Sequence, residues 1–169
     1  MTINELNVHI IEWAKERELD TKGTVEAQAI KTVEELSELI KAICKDKKED
    51  IIDSIGDVYV TLVIGNMLYA KNNMSAIHEQ IVMLFDDKAI KRCKNLEKTR
   101  NIERLGSLIY SVLNYNYSQN VIYSTMEQLI KVAYSYDLDF VECVECAYNT
   151  IKDRQGKLIN GSFYKDEDL

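Results

Sequence analysis

An all-α fold is what this sequence predicts, and three observations carry the prediction. No proline occurs anywhere and glycine occurs only six times, so nothing forces a break inside a long helix. Apolar residues return at helical spacing through most of the chain. The 169 residues, 46% of them hydrophobic with charge well spread, suffice for one packed core and are short for two.

The elements follow in order. A first helix is expected over Ile3 to Glu18. Lys22-Gly23-Thr24 makes a turn that offers Thr24 as N-cap to a second helix, Val25 to Cys44. Asp46 to Lys48 is a polar hinge before a third, Ile51 to Ala70, so the second and third helices should form an antiparallel hairpin. In the middle, Asn72 to Asp139, helical periodicity runs through Ile77 to Cys93, Ile102 to Tyr115 and Val121 to Tyr136. Tyr110, Tyr115, Tyr117, Tyr123, Tyr134 and Tyr136 fall there, a density that suits helix packing or a subunit interface. A last helix spans Phe140 to Ile151, and the C-terminal KDRQGKLINGSFYKDEDL, with Gly156 and Gly161, reads as an extended or looped tail.

Charge narrows the function. Lys and Arg number 21 against 28 for Asp and Glu, a balance of −7 that should repel a nucleic-acid backbone. The first twenty residues carry charges throughout, without the apolar run of a signal peptide, and no later segment approaches the roughly 18 uncharged residues of a membrane span. A cytoplasmic protein without membrane contact is expected. Of four cysteines only Cys143 and Cys146 are close, and no second cysteine or histidine pair completes a zinc site. Reduced thiols buried on a helix face fit better.

The chemistry gathers in KTVEELSELIKAICKDKKEDIIDSIGDVYVTL, Lys31 to Leu62. Glu35 and Glu38 share a helix face, with Glu34 beside them, and Asp53 and Asp57 form a second pair on the next helix. Folding the hairpin about Lys47 should turn the two acidic stripes toward each other at the edge of an apolar seam. Like charges held there cost kilocalories unless a cation neutralises them, and all-oxygen donors without histidine suit Mg²⁺ or Mn²⁺. A solvated acidic face is the plainer reading of one such helix. A di-iron site would need Glu three residues before His on two helices, whereas Leu6 precedes His9 and Ser75 precedes His78.

QAIKTVEELSELIKAI followed by DSIGDVYVTLVI, and later ECAYNTIKDRQGKLINGSFYK, resembles the MazG-like nucleotide pyrophosphohydrolases of the all-α NTP pyrophosphatase superfamily, especially small phage and bacterial forms. The likeness touches IIEWAKERELD as well and leaves the middle of the chain uncovered. It implies a helical, usually oligomeric enzyme, a dimer or tetramer, that cleaves nucleoside triphosphates to monophosphate and pyrophosphate with Mg²⁺. By position, Glu35 and Glu38 match the ExxE metal ligands and Asp57 the aspartate that closes an ExxD motif. Ser54 stands at the first position of that second motif, and Asp53, one residue earlier, is the choice for fourth ligand. Gln28 and Lys31 match polar positions upstream, where a lysine can meet phosphate. Asn149, Lys152 and Arg154 match a C-terminal motif that contacts nucleotide, with Thr150 where related forms carry a further lysine.

Hydrolysis between the α and β phosphorus atoms needs a carboxylate to take a proton from water and cations to hold pyrophosphate. Glu35 or Glu38 could be that base, and Trp13 could stack on a nucleobase, although a lone tryptophan on a helix also reads as core. A dUTPase-like specialist of the same superfamily and a non-catalytic helical interaction module are the alternatives.

The middle offers one more pattern, a helical insertion or degenerate repeat at about 72–118. Glu103 to Asn116 aligns on Asp53 to Asn66 at an offset of 50, with Gly106 opposite Gly56. On that register Ile77 to Tyr117 would repeat the acidic hairpin, with Leu84, Phe85 and Lys88 in place of the ligands, and pack against it as a partner subunit would.

Overall fold

The computed structural model describes residues 1–69 and 71–166, so Ala70 at the expected end of the third helix and residues 167–169 of the tail lie outside the described residues. Helices α1 (Ile3–Glu16), α2 (Leu19–Lys22), α3 (Val25–Lys45), α4 (Lys48–Leu68), α5 (Met74–Val82), α6 (Asp87–Lys94), α7 (Lys98–Tyr115), α8 (Gln119–Ser135) and α9 (Phe140–Ile151) precede strands β1 (Gly156–Ile159) and β2 (Ser162–Lys165).

Local chemistry sets the helix starts. Thr2 and Glu5 form a reciprocal capping box at α1, Thr24 accepts from the Ala27 amide at α3, and Asp139 accepts from the Glu142 amide at α9. The first helix stops at Glu16, short of Glu18, because Glu18 takes a left-handed φ of 56° and starts the separate turn α2. The expected helix Ile77 to Cys93 is two helices, since Asp86 caps the Ala89 amide and opens α6 after a break.

Packing centres on α4, which is apolar on nearly every side and buried accordingly. Ile55, Val58, Tyr59 and Leu62 are fully enclosed, and each such side chain contributes roughly 1.5–3 kcal/mol of burial. Among the described residues α4 is the one helix long and apolar enough to cross a membrane, but 72% of that apolar window is buried within the fold. It pairs with α3 across a short hinge in which Asp46 adopts a left-handed φ of 52°. Its other faces meet α9, α1 and α8. A Cβ at Gly56 would lie 2.4 Å from the Cys143 carbonyl and 2.5 Å from the Ala147 Cβ, so this glycine lets α9 approach the hairpin. Tyr59 donates to Asn7 (2.9 Å) and Asn7 donates to Ser75 (3.0 Å), tying α4, α1 and α5 together.

Helix α7 runs antiparallel to α3. Lys98 at its start pairs with Asp46 at the end of α3, and Tyr117, just past its end, lies 2.6 Å from the Thr32 hydroxyl near the start of α3. Helix α8 returns against α7 and α4, so α3, α4, α7 and α8 form a four-helix assembly. The repeat expected over Ile77 to Tyr117 is not what is built, because α6 packs against α8 and α7 packs against α3 and α8, whereas α3 and α4 pair with each other. The two aligned glycines differ as well: Gly56 is closely packed, while a Cβ at Gly106 meets nothing within 4 Å.

The tail is extended, as expected, and pairs with itself as an antiparallel β-hairpin, with Ile159 opposite Ser162 and a two-residue Asn160-Gly161 turn at φ 51° and 81°. One further expectation is corrected. Of the cysteine pair, Cys143 is buried and its thiol is pushed up to about 12 by burial, whereas Cys146 is exposed.

Candidate functional site

Between the acidic hairpin, α1, the end of α9 and the β-hairpin lies a cavity of about 420 Å³. Four of its carboxylates are those singled out in the sequence: Glu35 and Glu38 from α3, Asp53 and Asp57 from α4. Helical spacing puts each pair one turn apart, and the hinge at Asp46 and Lys47 folds the two helices so that both pairs line the same wall. They differ in depth. Glu35 is only 7% exposed and Asp57 is half-buried, while Glu38 and Asp53 stand exposed at the rim. Ser54 is buried away from the cavity, so Asp53 is the residue of that motif position that reaches it.

The electrostatics record the crowding. Burial, then the charges of Glu35 and Asp53, push the Asp57 carboxyl up to about 7, against a smaller opposing pull from Arg154 and Lys31. Burial also raises Glu35, partly offset by Lys31, whose Nζ lies 2.8 Å from its Oε1. The same ammonium lies 2.9 Å from Glu34. Burial works against the Lys31 charge, but the two carboxylates outweigh it and leave the lysine raised.

The remaining residues divide. Gln28 is buried and donates to the Thr61 carbonyl (3.1 Å), bridging α3 and α4 at the cavity floor. Trp13 forms part of the cavity wall yet is only 7% exposed. Its indole N–H donates to the Ile151 carbonyl (2.8 Å), Phe163 meets it edge-on, and the Arg17 guanidinium sits 4.5 Å over its ring. One face is therefore taken, and the ring is as much core as wall. Arg154 lines the cavity, but Asn149 and Lys152 do not: both are exposed at the end of α9, where Lys152 donates to Asn149 (3.1 Å). The C-terminal trio thus contributes one residue, because the chain leaves the helix at Ile151 and only Arg154 turns inward.

Sequence reading missed Phe163 and Lys165, which the β-hairpin brings to the cavity, and Arg17, which fixes Arg154 by donating to its carbonyl (2.7 Å). The signal for the hairpin was present as Asn160-Gly161 between alternating residues, the usual sequence of a type I′ turn. For Arg17 the sequence carried none.

The donor set fits a hard divalent cation, being all oxygen with a half-buried carboxyl held near neutrality. Glu35, Glu38, Asp53 and Asp57 are the residues that could hold it. Among the described residues, no group of three or more His, Cys, Asp and Glu side chains stands close enough to grip an ion as the side chains are placed.

No family model matches the chain, and no solved structure matches it. Over 79 residues it is 37% identical to an uncharacterized 18.2 kDa protein in the rep-hol intergenic region of Haemophilus phage HP1. That stretch covers 47% of this chain and 47% of the phage protein, so the likeness spans about half the length of each.

Proposed function

We propose that the protein is a MazG-like, Mg²⁺-dependent nucleoside triphosphate pyrophosphohydrolase, converting a nucleoside triphosphate and water to the monophosphate and pyrophosphate. The single observation that supports this most is the union, in one cavity of about 420 Å³, of four carboxylates from two helices with Lys31, Arg154 and Lys165. Such a volume suits a nucleotide-sized ligand. Mn²⁺ would substitute for Mg²⁺ in an all-oxygen site.

Bound Mg²⁺ would neutralise phosphate charge and make a water molecule more acidic. The protein's own part follows from where its groups stand. Glu35 and Glu38 face the space where water would approach the α phosphorus, and either takes its proton. The bond from that phosphorus to the bridging oxygen breaks, and the pyrophosphate that leaves is held by Lys31, Arg154 and Lys165, three cations on the cavity wall. Trp13 and Phe163 close the apolar side, where a base can lie without a dedicated hydrogen-bond partner. Cytoplasmic action as a homo-oligomer completes the reading, with the exposed Tyr110, Leu113 and Tyr115 of α7 as the surface that supports self-association.

A non-catalytic helical module is the second reading, favoured by the Lys31 pairings and by the spread of the carboxylates. Turnover separates the two. Pyrophosphate release should be measured for the wild type with Mg²⁺ and each common nucleoside triphosphate, beside Glu38→Gln. Release that the substitution abolishes fits the enzyme, and no release with any nucleotide or metal fits the module.

A further inference from the structure

Beside the four-helix assembly, where α6 meets α7 and α8, lies a second cavity. Ile102 to Val112 of α7, IERLGSLIYSV, matches Val33 to Ile43 of α3, VEELSELIKAI, at an offset of 69. Val121 to Ala133 of α8 matches Ile51 to Val63 of α4 at an offset of 70, with Ile122 over Ile52 and Ser124 over Ser54. Burial follows the same register. The buried residues of α7, Asn101, Leu105, Leu108 and Val112, fall on Thr32, Leu36, Leu39 and Ile43, all of them buried. Those of α8 fall on buried positions of α4, with the half-buried Ile52 opposite Ile122 as the exception. Because α3 and α7 run antiparallel, the hairpins α3–α4 and α7–α8 meet as two copies do about a dyad.

At the ligand positions the second hairpin keeps one carboxylate of four and reverses one charge. Arg104 stands for Glu35, Ser107 for Glu38, Tyr123 for Asp53, Glu127 for Asp57 and Lys131 for Thr61. Arg104, Glu127 and Lys131 line a cavity of about 380 Å³ together with Arg92, Cys93 and Phe85. Lys131 is paired with Glu127 at 2.9 Å, and neither Arg92 nor Arg104 has an ion-pair partner among the described residues. Two guanidinium groups therefore face a recess floored by the buried Cys93 and the half-buried Phe85, in a protein whose net charge is −7. Guanidinium forks match phosphate oxygens in geometry as well as in charge.

We propose that this cavity binds a phosphate-bearing anion, free pyrophosphate or the polyphosphate of a nucleotide, between Arg104 of α7, which stands opposite Glu35, and Arg92 of α6. The site does not depend on the catalytic reading of α3 and α4, since neither Arg92 nor Arg104 touches that cavity.

Calorimetric titration in EDTA, first with inorganic pyrophosphate and then with a nucleoside triphosphate, tests the site without divalent metal. The wild type should bind pyrophosphate, and Arg104→Gln should bind it about tenfold more weakly. Arg104 is exposed, so the substitution should leave the melting curve unchanged. Similar affinities for the two ligands would point to free pyrophosphate, and a tighter nucleoside triphosphate to a nucleotide. Alkylation of Cys93, followed by peptide mass, should slow when pyrophosphate is present. No binding of either ligand, binding lost in Arg154→Gln and kept in Arg104→Gln, or unprotected Cys93 would overturn the proposal.

Discussion

Lys31 sets its ammonium 2.8 Å from Glu35 and 2.9 Å from Glu34, so one cation of α3 serves two carboxylates of the same helix at the mouth of the acidic cavity. Glu35 is the buried member, and its charge is tolerated because Lys31 stands beside it.

Lys31→Met should therefore lower stability in EDTA by about 1–3 kcal/mol, the cost of leaving a buried carboxylate without its partner. Millimolar Mg²⁺ should restore part of that loss. Urea unfolding with and without the metal measures both, and an unchanged midpoint in EDTA would show that the pairing contributes nothing.

Asp57 gives a dependence on pH. Its carboxyl is raised from 3.8 to about 7, so the folded protein holds a proton that the unfolded chain has released between those values. Stability from this group is complete below pH 3.8 and declines as pH rises through about 7. In EDTA, the wild type should lose stability between pH 5 and pH 8 relative to Asp57→Asn, whose profile lacks this component. Paired unfolding curves at the two pH values decide it, and parallel profiles would refute the assignment.

Gly56→Ala should be costly, because the new methyl would press on the Cys143 carbonyl and the Ala147 side chain of α9. Overpacking of this kind costs roughly 1–3 kcal/mol. Gly106→Ala, which meets open space within a helix, should be neutral or stabilising by about 0.5–1 kcal/mol. Denaturant midpoints of the two variants compare them directly.

Those glycines also explain how much the sequence disclosed. The hairpin of α3 and α4, the caps at Thr24 and the bounds of α9 were legible, because helical periodicity and capping side chains are local signals. For the middle segment, matching Gly106 to Gly56 gives one register, and burial gives another, with Leu105 and Leu108 over Leu36 and Leu39, a pattern visible once burial is known. Glu35, Glu38, Asp53 and Asp57 reached one cavity as spacing requires, whereas Lys152 did not follow Arg154 inward, since the end of a helix sets side-chain direction residue by residue.

Arg154 and Lys152 should consequently behave differently. Arg154→Ala should raise KM for a nucleoside triphosphate about tenfold or more through loss of a charged hydrogen bond, and Lys152→Ala should change it less than twofold. Steady-state kinetics of the two variants suffice. Equal effects would mean that nucleotide reaches the exposed end of α9.

The most direct measurement is phosphorus NMR of the products formed from a nucleoside triphosphate with Mg²⁺, wild type beside Glu38→Gln. Resonances of a monophosphate and pyrophosphate in equal amounts, absent with the variant, are the predicted result; a diphosphate with inorganic phosphate, or unchanged triphosphate in both samples, would contradict it.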